Sequence, residues 1–139
     1  MKHDIDEIRQ HNPQRGDMEH LNAVVWTDEG RIIGRKDVTA DEFWVEGHIP
    51  GRPLLPGVIM LEAAAQASSF LTATYVGWEG FIGFGGLEDV KFRTAVEPGQ
   101  TLYILCELIE KRHRRIKAKC QGVVNGGIAF EATIIGTRM

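Results

Sequence analysis

Apolar positions recur with a period of two over most of this chain, and almost continuously over one central stretch. Residues 4–11 set Ile5 and Ile8 on one side behind Asp4, a good N-cap, so a short amphipathic helix is predicted, ended by Asn12-Pro13. Two strand-like stretches follow, 21–26 (LNAVVW) and 31–38 (RIIGRKDV), with Asp28-Glu29-Gly30 as the turn between them. TADE at 39–42 fits a capping box, Thr39 capping the N–H of Glu42 and Glu42 reaching back. It predicts a short helical turn through Phe43 and Trp44 that stops at Gly47.

The next ten residues, HIPGRPLLPG (48–57), cannot be regular structure, because Pro50, Pro53 and Pro56 each remove a donor and fix φ. They read as a stiff, extended loop. A helix is predicted from Pro56-Gly57 through VIMLEAAAQASSFLTATY to a stop at Gly77, about nineteen residues and on the order of 28 Å long. It is apolar nearly all round, the mark of a helix enclosed by other structure. Residues 80–94 alternate loosely, with glycines that suggest a bulge. Pro98-Gly99 is a turn, and 101–110, 114–124 and 127–137 read as strands joined by hairpins at KRH and Asn125-Gly126. Strand hairpin, long helix and antiparallel meander together predict an α+β fold, an antiparallel β-sheet wrapped around one long central helix, as a single domain over residues 1–139.

Composition narrows the function classes. A net charge of −3 gives no general drive toward nucleic acid or an anionic membrane. No stretch reaches the roughly 18 to 20 apolar residues of a membrane span, and the polar N-terminus is not expected to be a secretory signal. Cys106 and Cys120 lie in no C-x-x-C pattern and are expected to be free thiols in a reducing cytoplasm, with a cross-strand disulfide as the alternative. His3, His11, His20 and His113 are expected at the surface.

Only one place combines a histidine, a carboxylate, a helix N-terminus and a proline-stiffened loop. His48 stands fourteen residues before Glu62, the single charge in the apolar helix, and Gln66 one turn on can reach and orient that carboxylate. At the helix start, the N–H groups of Gly57 and Val58 lack intrahelical acceptors and lie at the positive end of the dipole, where they can hold an oxyanion. An imidazole and a carboxyl around one substrate suit acid/base chemistry. No paired metal-ligand spacing and no nucleophile elbow are present, so neither a metal site nor covalent acyl transfer is expected.

The stretch His48-Ile49-Pro50-Gly51-Arg52-Pro53-Leu54-Leu55-Pro56-Gly57-Val58, followed by Glu62 and Gln66, resembles the H-F-P-G-x-P-x-x-P-G-V-x-x-x-E-x-x-x-Q signature of the 3-hydroxyacyl-[acyl-carrier-protein] dehydratases of the FabZ type. The flanks GRIIGRKDVTADEFWVEGH and GLEDVKFRTAVEPGQTL extend the resemblance over about residues 30–137. It implies the hot-dog fold, no cofactor, and a homodimer, in this family often a trimer of dimers, with His48 of one subunit facing Glu62 of the other. It further implies that His48 removes the α-proton of a 3-hydroxyacyl thioester, Glu62 serves the departing hydroxyl, and the Gly57 N–H polarises the carbonyl. The product would be a trans-2-enoyl thioester of fatty acid or lipid biosynthesis.

Departures mark what is particular to this chain. Ile49 replaces the family's phenylalanine, while Ala95 and Gln100 replace a proline and an aspartate. NPQRGDMEHLNAVVW stands where the family has a Pro-His-Arg-Tyr-Pro-Phe-Leu-Leu-Val-Asp pattern, with Arg15 as the remnant of its arginine. Gly83, followed by Phe84, falls where an aromatic often borders the substrate tunnel, which predicts an altered chain-length preference. KRHRRIKAK (111–119) holds six of the sixteen lysines and arginines. It reads as a solvated hairpin tip or as a docking surface for the acidic acyl carrier protein through Arg112 and Arg114, joined by Arg52, Lys91 and Arg93. A thioesterase or hydratase of the same fold acting on coenzyme A thioesters, and a non-catalytic acyl-binding paralogue, remain the alternative readings.

Overall fold

The structure is a computed structural model that describes residues 2–80 and 82–139; Phe81, within the predicted stretch 80–94, lies outside them. The elements run α1 (Ile5–His11), β1 (Ala23–Asp28), β2 (Arg31–Asp37), α2 (Gly57–Leu71), β3 (Ile82–Phe92), β4 (Thr101–Lys111), β5 (Arg115–Val124) and β6 (Gly127–Arg138). The strands form one antiparallel sheet in the order β1-β2-β4-β5-β6-β3, curled around α2. This is the expected α+β hot-dog arrangement. β3 and β1 are its edges. Among the described residues no helix is long and apolar enough to cross a membrane.

Local chemistry accounts for most boundaries. Asp4 caps α1 by accepting the Glu7 N–H at 3.0 Å, and the Arg15 guanidinium binds the carbonyls of Arg9 and Asn12 at the helix's other end. Asn125 and Gly126, at φ 48° and 77°, make the left-handed pair that a tight hairpin requires. Small residues Ala63, Ala64 and Ala67 let α2 approach the sheet, where Phe70, Leu71, Ile104 and Phe130 fill the core. Burying each such large side chain is worth about 1.5–3 kcal/mol. Cys106 and Cys120 are free, buried and opposite one another on β4 and β5.

Three expectations need correction. The capping box is half formed: Glu42 Oε2 accepts the Thr39 N–H at 2.9 Å, but the Thr39 hydroxyl turns to Asp41, and residues 40–49 are turns rather than helix. The central helix loses α geometry after Leu71 and widens to a π turn over Thr72–Val76, ending at Gly77 with φ 84°. Ser68, Thr72 and Thr74 each donate a hydroxyl to the carbonyl four residues back, which competes with the regular ladder. His20 is not at the surface. It is 2% exposed, because Gln66 and Lys36 both bond to it, and His3 is half-buried beside Phe70.

Candidate active site

The loop before α2 is held at both ends. The Leu55 N–H donates to the Val96 carbonyl at 2.7 Å, and the His48 N–H donates to the Trp44 carbonyl at 2.9 Å. Between them Ile49 takes φ 57°, a left-handed conformation that costs a β-branched residue on the order of 1–3 kcal/mol. That kink leaves the His48 ring exposed, with Nδ1 2.9 Å from the Leu54 carbonyl oxygen. A carbonyl only accepts, so Nδ1 carries the ring proton and Nε2 keeps a free lone pair.

At the start of α2, Pro56 serves as N-cap without a side-chain acceptor, and the first turn holds no acidic residue. Ile59 and Met60 both donate to the Pro56 carbonyl, so Gly57 and Val58 are left with N–H groups that find no acceptor among the described residues. Gly57 lies close under the exposed Phe92 ring: a Cβ there would stand 2.7 Å from Phe92 Cζ, so the ring would have to move. Val58 itself is 70% exposed.

Glu62 sits five residues further along, half-buried at a cleft of about 170 Å³ lined also by Gln14, Ser69, Gly83 and Phe84. Gln66 is buried and its amide is saturated. Oε1 accepts the His20 N–H at 2.9 Å, and Nε2 donates to the Met18 carbonyl at 2.7 Å and to Glu62 Oε2 at 2.8 Å. Because the His20 group only donates and the Met18 group only accepts, the amide cannot flip, and Glu62 always meets the NH₂ side. Asn12 Nδ2 fastens the same turn of α2 through the Gln66 carbonyl at 2.9 Å.

Sequence reasoning singled out His48, Gly57, Val58, Glu62, Gln66 and Gly83, and Gly83 does adjoin Glu62. Within one chain, however, His48 and Glu62 make no bond to each other among the described residues; each is engaged by its own partner. Asn12, Met18, His20 and the Leu54 carbonyl were missed. Three of these act through backbone atoms, which leave no residue-type signal, and Asn12 was read only as a helix stop. Lys36 and Glu42, discussed below, were missed despite a legible clue: alternation puts Lys36 on the inward face of β2 with Ile32, Gly34 and Val38.

The basic residues divide into two groups. Arg52 precedes α2 and Lys91 and Arg93 lie at the end of β3 near Gly57, whereas Arg112 and Arg114 occupy the β4–β5 tip. Strand register sets Lys91 level with Gln121 through Glu131, and Arg115 lies six residues down β5, roughly 20 Å away. Arg93 pairs with Glu131 at 2.7 Å and Arg112 with Glu110 at 3.2 Å. One chain therefore carries no single continuous patch made of all five.

A family model described as the FabA-like domain matches residues 12–133. The chain is similar to the 3-hydroxyacyl-[acyl-carrier-protein] dehydratase FabZ of Enterococcus faecalis, 37% identical over 136 residues that cover 96% of this chain and 96% of that protein. It is also similar to the protein of that name from Desulforamulus reducens, 34% identical over 134 residues, covering 95% and 94%. Among solved structures, the dehydratase heterocomplex ApeI:P from Xenorhabdus doucetiae aligns with a TM-score of 0.79 over 95% of this chain and 90% of that one. At 16% identity that likeness concerns the fold alone.

Proposed function

The chain belongs to the FabA-like domain family, and from that premise we propose that it is a 3-hydroxyacyl-[acyl-carrier-protein] dehydratase of fatty acid or lipid biosynthesis. The observation that carries the reading is the lone pair left on His48 Nε2 by the Leu54 carbonyl, one loop away from the unmatched N–H groups of α2. Nε2 takes the proton from Cα of the thioester, whose carbonyl oxygen gathers charge against the Gly57 and Val58 N–H groups. The electron pair closes the Cα=Cβ bond and expels the 3-hydroxyl, which leaves as water with a proton from Glu62. Gln66 occupies Oε2, so Oε1 is the oxygen that delivers it. A proton passed back from imidazolium to carboxylate through solvent restores the site.

The acid in each site comes from the partner subunit. The free edge of β3 supports this, with Phe84, Leu87 and Phe92 exposed along it. Two copies of β3 paired antiparallel about Leu87 would set Ile82 beside Phe92 of the second copy. That brings the cleft of Glu62, at Ile82–Phe84, to the second copy's helix start, at Gly57 against Phe92. The same symmetry carries one copy's Arg112 and Arg114 toward the other's Lys91 and Arg93, composing from two chains the acidic-carrier docking surface that one chain lacks. A trimer of such dimers is compatible with this pairing.

The test is a crotonoyl thioester on acyl carrier protein, followed by loss of enoyl absorbance on hydration, with His48→Ala and Glu62→Gln as controls. Reversible hydration that falls at least about 10²-fold in both variants is expected. Release of free thiol instead would identify a thioesterase and overturn the reading, and binding without turnover would identify an acyl-binding paralogue.

A further inference from the structure

Behind the candidate site lies a buried charged cluster that the chemistry above does not use. Lys36 is 2% exposed, and its Nζ donates to Glu42 Oε1 at 2.7 Å and to His20 Nδ1 at 3.2 Å. An ammonium has no lone pair, so Nδ1 must accept, and the His20 ring proton is on Nε2, which is buried without a partner among the described residues. Glu42 also accepts from Trp44 Nε1 at 3.1 Å and from the Thr39 N–H at 2.9 Å.

This cluster has an outlet on each side. Toward the loop, the Trp44 carbonyl receives the His48 N–H at 2.9 Å. Toward the helix, the His20 N–H binds Gln66 Oε1, and Gln66 Nε2 binds Glu62 Oε2. A continuous run of contacts thus leads from the backbone of His48 to the carboxylate of Glu62, with Lys36 at its centre. Stability is a poor reason to keep such a group, because well-packed apolar side chains often replace buried ion pairs without loss. What apolar residues cannot do is fix two acceptors from separate segments in one geometry, as the ammonium does.

We propose that Lys36 is a positioning residue for both halves of the site, tethering Glu42 to His20 so that the segment presenting His48 and the amide orienting Glu62 keep one relative placement. The inference rests on the roles proposed above for His48 and Glu62. If each site draws His48 from one subunit and Glu62 from the other, one Lys36 serves two sites.

The test compares the full chain with Lys36→Met and with the double variant Lys36→Met/Glu42→Gln, which leaves no half-buried carboxylate unpaired. The double variant is expected to keep the wild-type Tm within a few degrees and KM within about twofold. Its kcat should fall about tenfold or more, as a small misplacement of reacting groups requires. The side-chain amide resonances of Gln66 should shift in ¹H–¹⁵N spectra. Recovery of wild-type kcat and an unmoved Gln66 amide in the double variant would overturn the proposal, assigning Lys36 to charge compensation alone. Absence of turnover in the wild-type chain would instead count against the dehydratase reading, and the Gln66 amide would still decide the role of Lys36.

Discussion

Acidification should weaken the fold through His20 in a way that a single substitution can isolate. Burial, and after it the neighbouring Lys36 ammonium, lower the His20 pKa from 6.5 to about 4, against the opposing pull of Glu42 and Asp17. The unfolded chain binds a proton on this ring near pH 6.5, and the native chain does so only near pH 4. Stability is therefore unaffected by His20 above about pH 7, falls as pH drops between those values, and has lost the full amount below about pH 4. The gap converts to roughly 3 kcal/mol. At a urea slope of about 1–3 kcal/mol per molar, that is a midpoint shift on the order of 1–3 M. Glu42, which burial pushes up but the Lys36, Thr39 and Trp44 donors together hold below the usual carboxylate range, and Glu19, held there by Arg9, add losses of the same sign in any variant. The assay is urea denaturation from pH 7 to pH 4 at fixed protein concentration, comparing wild type with His20→Leu. The variant should lose roughly 3 kcal/mol less over that range; two curves falling in parallel would refute the argument.

Further outcomes follow from the same geometry. Gln66→Leu strands the buried His20 N–H and frees Glu62, so denaturation should register a loss of about 1–3 kcal/mol and turnover should fall about 10²-fold, whereas unchanged kcat would contradict the orienting role. A Cβ at Gly83 would stand 2.9 Å from Met139 Sδ and 3.7 Å from the Thr137 carbonyl oxygen, so Gly83→Tyr crowds the β6 side of the cleft's rim and should shift activity toward shorter acyl thioesters. An unaltered chain-length profile would count against a tunnel there. Cys106 and Cys120 are both buried, and burial also pushes the Cys106 thiol well up, so neither should react with a thiol reagent until the chain unfolds; labelling of the native protein within minutes would disprove it.

Legibility in the sequence followed locality. Period-two alternation, turn dipeptides and an apolar run capped by Pro56-Gly57 are short-range signals, and the strands, the hairpins and α2 were readable from them. Thr39 and Thr72 show where local rules compete: a hydroxyl that can bond a cap can equally bond Asp41, and one that can face solvent can bond back to Ser68 and widen the helix. His20 shows the larger gap. Its burial depends on Gln66, 46 residues away, and on Lys36 across the β1–β2 hairpin, and nothing in the segment MEHL announces either contact. The same holds for His48, whose tautomer is set by a carbonyl that any residue at position 54 would supply.

The central claim is that a working site takes His48 from one chain and Glu62 from another. Mixing subunits tests it most directly: His48→Ala and Glu62→Gln chains, each inactive alone, are co-refolded in equal amounts and assayed with the carrier-bound enoyl thioester. Random pairing makes half the dimers mixed, and each mixed dimer holds one intact site, so about a quarter of wild-type activity should return. Activity that stays at the level of the separate variants, in a mixture shown to contain mixed dimers, would contradict the account.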